Sequence, residues 1–358
     1  MPTLTVGVIT TPHKDSDQRL PIHPQHLAVL ETEVRSQLYF EAGYGTAFGT
    51  TDHHLARQTG GTCTREEIFS ECDVILLHKP SLPDLNNLRE QQILWGSPYF
   101  TQNDNTPRTT TDQRLALITA EPTPHTPGNS SLGSPIGPQL DEMAGYSSVT
   151  HALACIGRTG RWGPPLRAVV IGHEAAGKGA LKALRAQGLT DITLVTTCFP
   201  ATLDEPLDAV HKAQLVVDDS GKLHAVSATH QTQLAELLSC HDVIVDCLRQ
   251  DTGAPLTFLT KDQTATLEPG TLIVDVLRDH GTGFGWTRPT TLTHPLHQVT
   301  DSVRYYAVKD SPAHLWNSAT WLHSTAILPH LGHVVTGEAR WDLGTTPDRT
   351  NEVRSGAV

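Results

Sequence analysis

Short apolar runs bounded by polar or turn residues recur along the first third of the chain, at 4–9, 73–77, 93–96 and 115–120. Between them, at 26–38 and 65–71, the apolar positions spread to a helical spacing. Runs of four to six apolar residues suit buried strands and the 3.6-residue period suits helices, so the alternation predicts parallel α/β architecture. Two stretches, 103–113 and 122–139, are rich in Pro, Thr, Ser and Gly without apolar period and read as loops. A helical pattern returns at 141–156, and a Gly/Pro turn at 157–165 introduces a second series of strands at 167–171, 191–197, 242–247 and 271–277. Within that series, 215–217 and 222–226 flank Asp218-Asp219-Ser220-Gly221 and predict a small hairpin inserted in the unit. No solenoid repeat is visible.

Length and charge narrow the class. A chain of 358 residues with 38% hydrophobic content suffices for two domains with proper cores. Lys and Arg total 26 against 38 acidic residues, a net charge of -12, so no nucleic-acid partner is expected. The start, Met1-Pro-Thr-Leu-Thr-Val-Gly-Val-Ile, lacks a basic lead, and no stretch of about 20 apolar residues follows, so the expectation is a cytoplasmic protein without a membrane partner. The six cysteines show no C-x-x-C pair, which suits reduced thiols.

The sharpest local signal is Arg167-Ala-Val-Val-Ile-Gly172-His173-Glu174-Ala175-Ala176-Gly177-Lys178-Gly179, a strand turning into an Ala/Leu-rich helix. Nucleotide phosphates bind at such turns, where backbone N–H groups and the helix dipole converge. Gly172 and Gly177 fill the first and third places of the dinucleotide fingerprint, while Glu174 stands in the second, where a carboxylate crowds a pyrophosphate unless it turns away. Gly172 to Lys178 also opens like a P-loop, but Gly179 stands where the Mg²⁺-binding hydroxyl belongs. A doubly wound sheet that has kept its shape and lost its cofactor is the plain alternative. The next strand ends in Leu194-Val195-Thr196-Thr197-Cys198, with no carboxylate for a ribose diol, which favours NADP over NAD.

Histidine pairs at i, i+3 (His23/His26, His294/His297, His330/His333) lie beside Pro or Gly with no accompanying metalloprotease pattern, so they read as surface or loop residues and no metal is expected. In the N-terminal half Arg19, in Arg19-Leu-Pro-Ile-His-Pro, and Lys79, after the strand at 73–77, are cations placed after strands. They are ordinary surface residues, or they converge on a cleft where the arginine clasps a carboxylate and the lysine serves acid–base chemistry.

These blocks, with Glu41-Ala-Gly-Tyr-Gly, Cys72-Asp-Val-Ile-Leu-Leu-His-Lys79-Pro, Glu142-Met-Ala-Gly-Tyr, Val274-Asp-Val-Leu-Arg-Asp279, Phe284-Gly-Trp-Thr-Arg-Pro-Thr-Thr and Tyr305-Tyr-Ala-Val-Lys-Asp310-Ser-Pro-Ala-His-Leu-Trp316, resemble the alanine dehydrogenase and transhydrogenase superfamily, particularly its branch of saccharopine dehydrogenase and carboxyethyl-ornithine synthase-like proteins. The resemblance spans nearly the whole chain. It implies two Rossmann-like doubly wound domains with parallel sheets and an interdomain cleft: a substrate domain from 1–150 plus 300–358, and a dinucleotide-binding domain at 151–299. It implies an NAD(P)H-dependent oxidoreductase acting on the C–N bond of an amino or imino acid, with an amino or keto acid as partner, and leaves a homo-oligomer open. By the same carry-over Arg19 binds the substrate carboxylate, Lys79 is the acid–base or orienting lysine, Asp279 lines the cleft near the nicotinamide, and Asp310 belongs to the block closing over the cofactor. Gly172, Glu174, Gly177, Lys178 and Thr196 complete the expected cofactor site.

Four departures stand out. Tyr99, in Trp95-Gly-Ser-Pro-Tyr99, occupies the place of a histidine and is a poor proton shuttle near neutrality. Ser311 replaces another histidine, the segment before Glu142 is rich in Pro, Ser and Gly, and Glu174 replaces the second glycine. Together they keep open a non-redox alternative, a binding protein or partner subunit on a dehydrogenase fold.

Overall fold

The computed structural model describes residues 3–10, 17–79, 82–90, 92–96, 116–119, 136–203, 210–250, 253–277 and 283–337. The chain divides into two compact units, Met1–Gly137 with Trp316–Val358, and Pro138–Leu315.

The first unit is built on six parallel strands, β1 (Val6–Val8), β2 (Leu38–Glu41), β3 (Gly61–Cys63), β4 (Val74–Leu76), β5 (Ile93–Gly96) and β6 (Ala116–Thr119), in the order β3-β2-β1-β4-β5-β6. Short helices α1 (Thr32–Arg35), α2 (Asp52–Gln58), α3 (Arg65–Glu71) and α4 (Leu82–Asn86) link them. Alternate residues feed two cores. Val6, Val74 and Leu76 pack with Ile327, Leu331 and Val334 of the chain's last helix, Trp316–Thr336, whereas Ile75 and Leu77 pack with Ile68 and Phe69 of α3. Both faces are covered, hence the unbroken apolar strands.

One helix across 26–38 is the expectation that fails here. The chain instead makes a 3-10 turn at Pro24–Val29, the single turn α1, and then enters β2. Leu38 and Phe40 are buried while Tyr39 and Glu41 are half-buried, so a period of two prevails over the helical spacing. The surface reading of His23 and His26 also fails, because both are buried against the last helix. His26 Nδ1 lies 2.7 Å from Ser324 Oγ, His23 Nε2 lies 3.3 Å from Asn317 Oδ1, and both rings pack on Trp321. The arm from Arg19 to His23 is thereby fixed. The buried Tyr44 hydroxyl donates to Ile22 O (2.8 Å) and accepts from Ile22 N–H (2.9 Å), while Leu20 N–H donates to Thr320 Oγ1 (2.9 Å).

The second unit begins with α5 (Gly137–Cys155) and continues through β7 (Arg167–Ile171), α6 (Ala175–Ala186), β8 (Asp191–Thr196), β9 (His211–Val217), β10 (Leu223–Val226), β11 (Gln231–Gln233), α7 (Leu234–Ser239), β12 (Val243–Asp246), β13 (Thr257–Leu259), β14 (Leu272–Asp275), β15 (Gly283–Phe284), β16 (Leu296–Gln298) and β17 (Arg304–Tyr306). Its main sheet runs β11-β10-β9-β8-β7-β12-β14-β17-β16, parallel from β9 to β17 and antiparallel only at its margins. The hairpin expected around residues 218–221 forms, but its first arm, β9, pairs parallel with β8 and is a strand of the main series, not an insertion. No helix of the described residues is long and apolar enough to cross a membrane.

Two expected outcomes follow from these contacts. Tyr44→Phe leaves the Ile22 N–H and C=O buried and less satisfied, and is expected to cost about 1–3 kcal/mol by denaturant unfolding. Burial holds His26, His78, His241 and His323 below the ordinary imidazole value of 6.5, His323 at about 3. These groups hold a proton less readily when folded than when unfolded, so the unfolded chain binds more protons below pH 6.5 and stability drains as pH falls through that window. The Tm is expected to drop between pH 6.5 and 5, before most carboxylates titrate; a flat Tm there would contradict the buried neutral state.

Candidate functional site

Both sheets share one winding. The parallel order β3-β2-β1-β4-β5-β6 of the first unit is repeated by β9-β8-β7-β12-β14-β17 in the second. Where such a sheet reverses direction, between β1 and β4 or between β7 and β12, the connections leave to opposite faces and open a crevice at the C-terminal strand ends.

In the second unit that crevice is formed by the glycine turn. Gly172 has φ +100°, and a Cβ on it would lie 2.8 Å from the Cys247 carbonyl at the end of β12. A Cβ on Gly177 would stand 2.0 Å from Gly172 O, so the first and third glycine positions are fixed by the fold. Glu174 is the N-cap residue of α6, exposed, and makes no side-chain capping bond. A pocket of about 550 Å³ opens here, lined by residues that include Asp141, Glu142, His173, Glu174, Lys178 and Arg249. Arg249 Nη2 is 3.0 Å from Asp141 Oδ2, and Lys182 Nζ is 2.6 Å from Glu142 Oε1. Burial raises the Asp141 carboxyl above its usual range against the pull of Arg249, and Glu174 raises it further. The helix N-terminus favours an anion while three carboxylates on the rim oppose one.

Thr196 lies beneath this turn and is buried, its hydroxyl 2.8 Å from His173 Nδ1 and accepting Cys198 N–H at 3.1 Å. It ties the glycine turn to the end of β8. Asp310 has φ +64°, in the left-handed region, and its carbonyl accepts Ala313 N–H at 2.8 Å, making the sharp turn after β17. Beside the crevice, Asp246 and Asp275 are buried at paired positions of β12 and β14, with Tyr305 OH 2.5 Å from Asp275 Oδ2.

In the first unit the crevice gathers the two expected cations. Arg19 is 4% exposed and grips Asp17 bidentately, Nε to Oδ1 at 2.7 Å and Nη2 to Oδ2 at 2.5 Å. Burial would raise the Asp17 carboxyl, but the Arg19 hydrogen bond and charge, with Lys79 adding to them, bring it below the ordinary value. Lys79 is half-buried two residues beyond Leu77 and acts on that same carboxylate. Next to it His78 faces His323 of the last helix, ring centroids 4.1 Å apart, with the Nε2 atom of each buried and without a hydrogen-bond partner. Tyr99 and Asp279 lie outside the described residues, as do 103–113 and most of 122–139.

Asp17, His78, His323, Asp141 and Arg249 escape sequence reasoning. The strand-end rule that picked out Lys79 also covers His78 and Arg249, each just beyond a strand. Nothing local marks His323, whose surroundings come from the far end of the chain.

Among proteins of known family, the model described as alanine dehydrogenase/PNT, C-terminal domain, matches residues 159–348, more than half of the chain. The alanine dehydrogenase of Mycobacterium tuberculosis is 24% identical over 334 residues, covering 90% of this chain and 85% of its own length. The N(5)-(carboxyethyl)ornithine synthase of Clostridium botulinum is 22% identical over 336 residues, covering 89% and 92%. In structure the chain is similar to an L-alanine dehydrogenase (TM-score 0.70, 17% identity, 98% of this chain and 93% of that one) and to a transhydrogenase from Sinorhizobium meliloti (TM-score 0.70, 16% identity, 92% and 93%).

The departure at Gly179 has a packing cause. A Cβ there would lie 1.8 Å from Glu142 O of α5, just as one on Gly145 would meet Ala176 O of α6 at 1.9 Å, so the two helices cross backbone to backbone. Gly179→Ser, which would complete the P-loop pattern, is therefore expected to destabilise by at least about 1–3 kcal/mol in denaturant unfolding and to confer no Mg²⁺-dependent nucleotide binding in calorimetry.

Proposed function

Because this chain belongs to the alanine dehydrogenase/PNT family, we propose that it is a nicotinamide-dependent oxidoreductase acting on the C–N bond of an amino or imino acid. The observation that carries the reading is that each sheet reverses at a chemically equipped crevice, with Arg19 and Lys79 at one and the Gly172–Lys178 turn at the other. A dinucleotide fits the second: the close approaches of Gly172 and Gly177 leave the first turn of α6 bare, and the exposed Glu174 has room to face solvent. Gly172, Gly177 and Lys178 would hold the pyrophosphate, with Thr196 fixing the turn from below and Asp310 shaping the closing segment. The absence of a carboxylate at the end of β8 supports NADP over NAD. When bound, the nicotinamide supplies the hydride donor or acceptor.

The chain's own residues do the rest. Asp17 holds one edge of the Arg19 guanidinium and so orients it toward a substrate carboxylate. Lys79 hydrogen-bonds the carbonyl or imine and moves its proton, Tyr99 adds a hydrogen bond at the amine, and Asp279 offsets iminium charge. Free cysteines agree with action in the cytoplasm. The carboxylates of Asp141, Glu142 and Glu174 around the pocket favour one second reading, a non-redox binding protein.

Calorimetry with NADPH and NADH separates the two. Micromolar binding of either supports the oxidoreductase, with Glu174→Gly tightening it about fivefold if its charge faces the phosphates, a like-charge term of about 1 kcal/mol. No binding by the parent and a gain in Glu174→Gly would favour the non-redox protein. In an active preparation Lys79→Ala is expected to lower kcat/KM by about 10²–10⁴ with the fold intact by circular dichroism; unchanged turnover would remove the lysine from the mechanism.

A further inference from the structure

The first-unit crevice holds two imidazoles that the scheme above does not use. His78 leaves the end of β4 immediately before Lys79, and His323 reaches in from the last helix; they are 6% and 5% exposed. Each keeps an Nε2 atom buried without a partner. Elsewhere in this unit the fold satisfies such rings, as with His23 on Asn317 and His26 on Ser324. Leucine or phenylalanine would fill the same space without stranding polar atoms, so an orphaned pair needs a reason.

Position supplies it. Thr320, one turn before His323, receives Leu20 N–H, so the backbone just beyond Arg19 is docked beside His323. Arg19 and Lys79 both act electrostatically on both rings, and Asp17 acts on His323. Two neutral imidazoles, two cations and one carboxylate thus share one crevice, drawn from three separate segments.

We propose that His78 and His323 contact the substrate, joining Arg19 in hydrogen-bonding the carboxylate of an amino or 2-oxo acid whose carbonyl or imine meets Lys79. This rests on the reading of the crevice as the amino- or keto-acid site. A neutral imidazole donates one N–H to a carboxylate, and burial first, with the charges of Arg19 and Lys79, keeps both rings in that neutral form.

The test is calorimetric titration of the full chain with pyruvate and with L-alanine, in the presence and absence of NADPH or NADH. The expected result is binding by the wild type, at least tenfold weaker binding by His323→Leu and His78→Leu with Tm unchanged or raised, and partial retention in His323→Gln. A second readout follows the rings themselves: the imidazole resonances of His78 and His323, assigned by their loss in the two leucine variants, should shift when pyruvate is added to the wild type. Wild-type binding that leaves those resonances unmoved, or leucine variants that bind as tightly as the wild type, would overturn the proposal while leaving the oxidoreductase reading standing. A wild type that takes up dinucleotide but neither acid would overturn both this proposal and the substrate class on which it rests.

Discussion

A parallel sheet covered on both faces leaves polar chemistry little room except at its strand ends, and right-handed crossovers decide which ends stay open. This chain meets that constraint twice with the same strand order, and the groups that carry its proposed chemistry collect where each winding reverses. Apolar side chains fill both faces of β4, β7, β12 and β14, so Lys79 and Arg249 stand just past strands and never within them. Fold and site therefore have one cause: the burial that makes the strands apolar pushes the cations to their ends.

Each crevice also contains an arginine paired with an aspartate, Arg19 with Asp17 and Arg249 with Asp141. The environments differ. The first pair is almost wholly buried, where removing one partner strands the other's charge, and the second is half-exposed, where solvent screens it. The first is thus suited to holding a guanidinium in one orientation, and the second can yield when a larger anion arrives. Around α6 the balance is finer, because the dipole of its N-terminus must outweigh Glu174 and the raised carboxyl of Asp141.

Elements buried on both sides were legible from the sequence. β4, β5, β7, β8, β12 and β14 announce themselves as apolar runs between turn signals, and the glycine turn follows because only a residue tolerant of φ +100° fits against Cys247. β2 was not legible, since its half-buried Tyr39 and Glu41 blur the alternation into something like a helical stripe. The last helix has no amphipathic signature because residues on more than one side are buried, Ala319 and Thr320 as well as His323 and Ile327. The proposed site divides in the same way. Gly172, Gly177 and Lys178 lie within one short motif, so the turn they form could be read in place. Asp17, His78 and His323 matter only through one another, and no local pattern expresses a contact between residues 78 and 323.

The hydrogen bond from Leu20 to Thr320 spans 300 positions of the chain. During synthesis the first unit's sheet emerges early, with the arm that carries Arg19, while the helix that covers one of its faces is still unmade. At roughly 5–20 residues per second the whole second unit must be translated first, a delay on the order of ten seconds or more. Through that interval the face of Val6, Val74 and Leu76 waits for the helix that covers it, so the core of the first unit closes late and over a long stretch of chain.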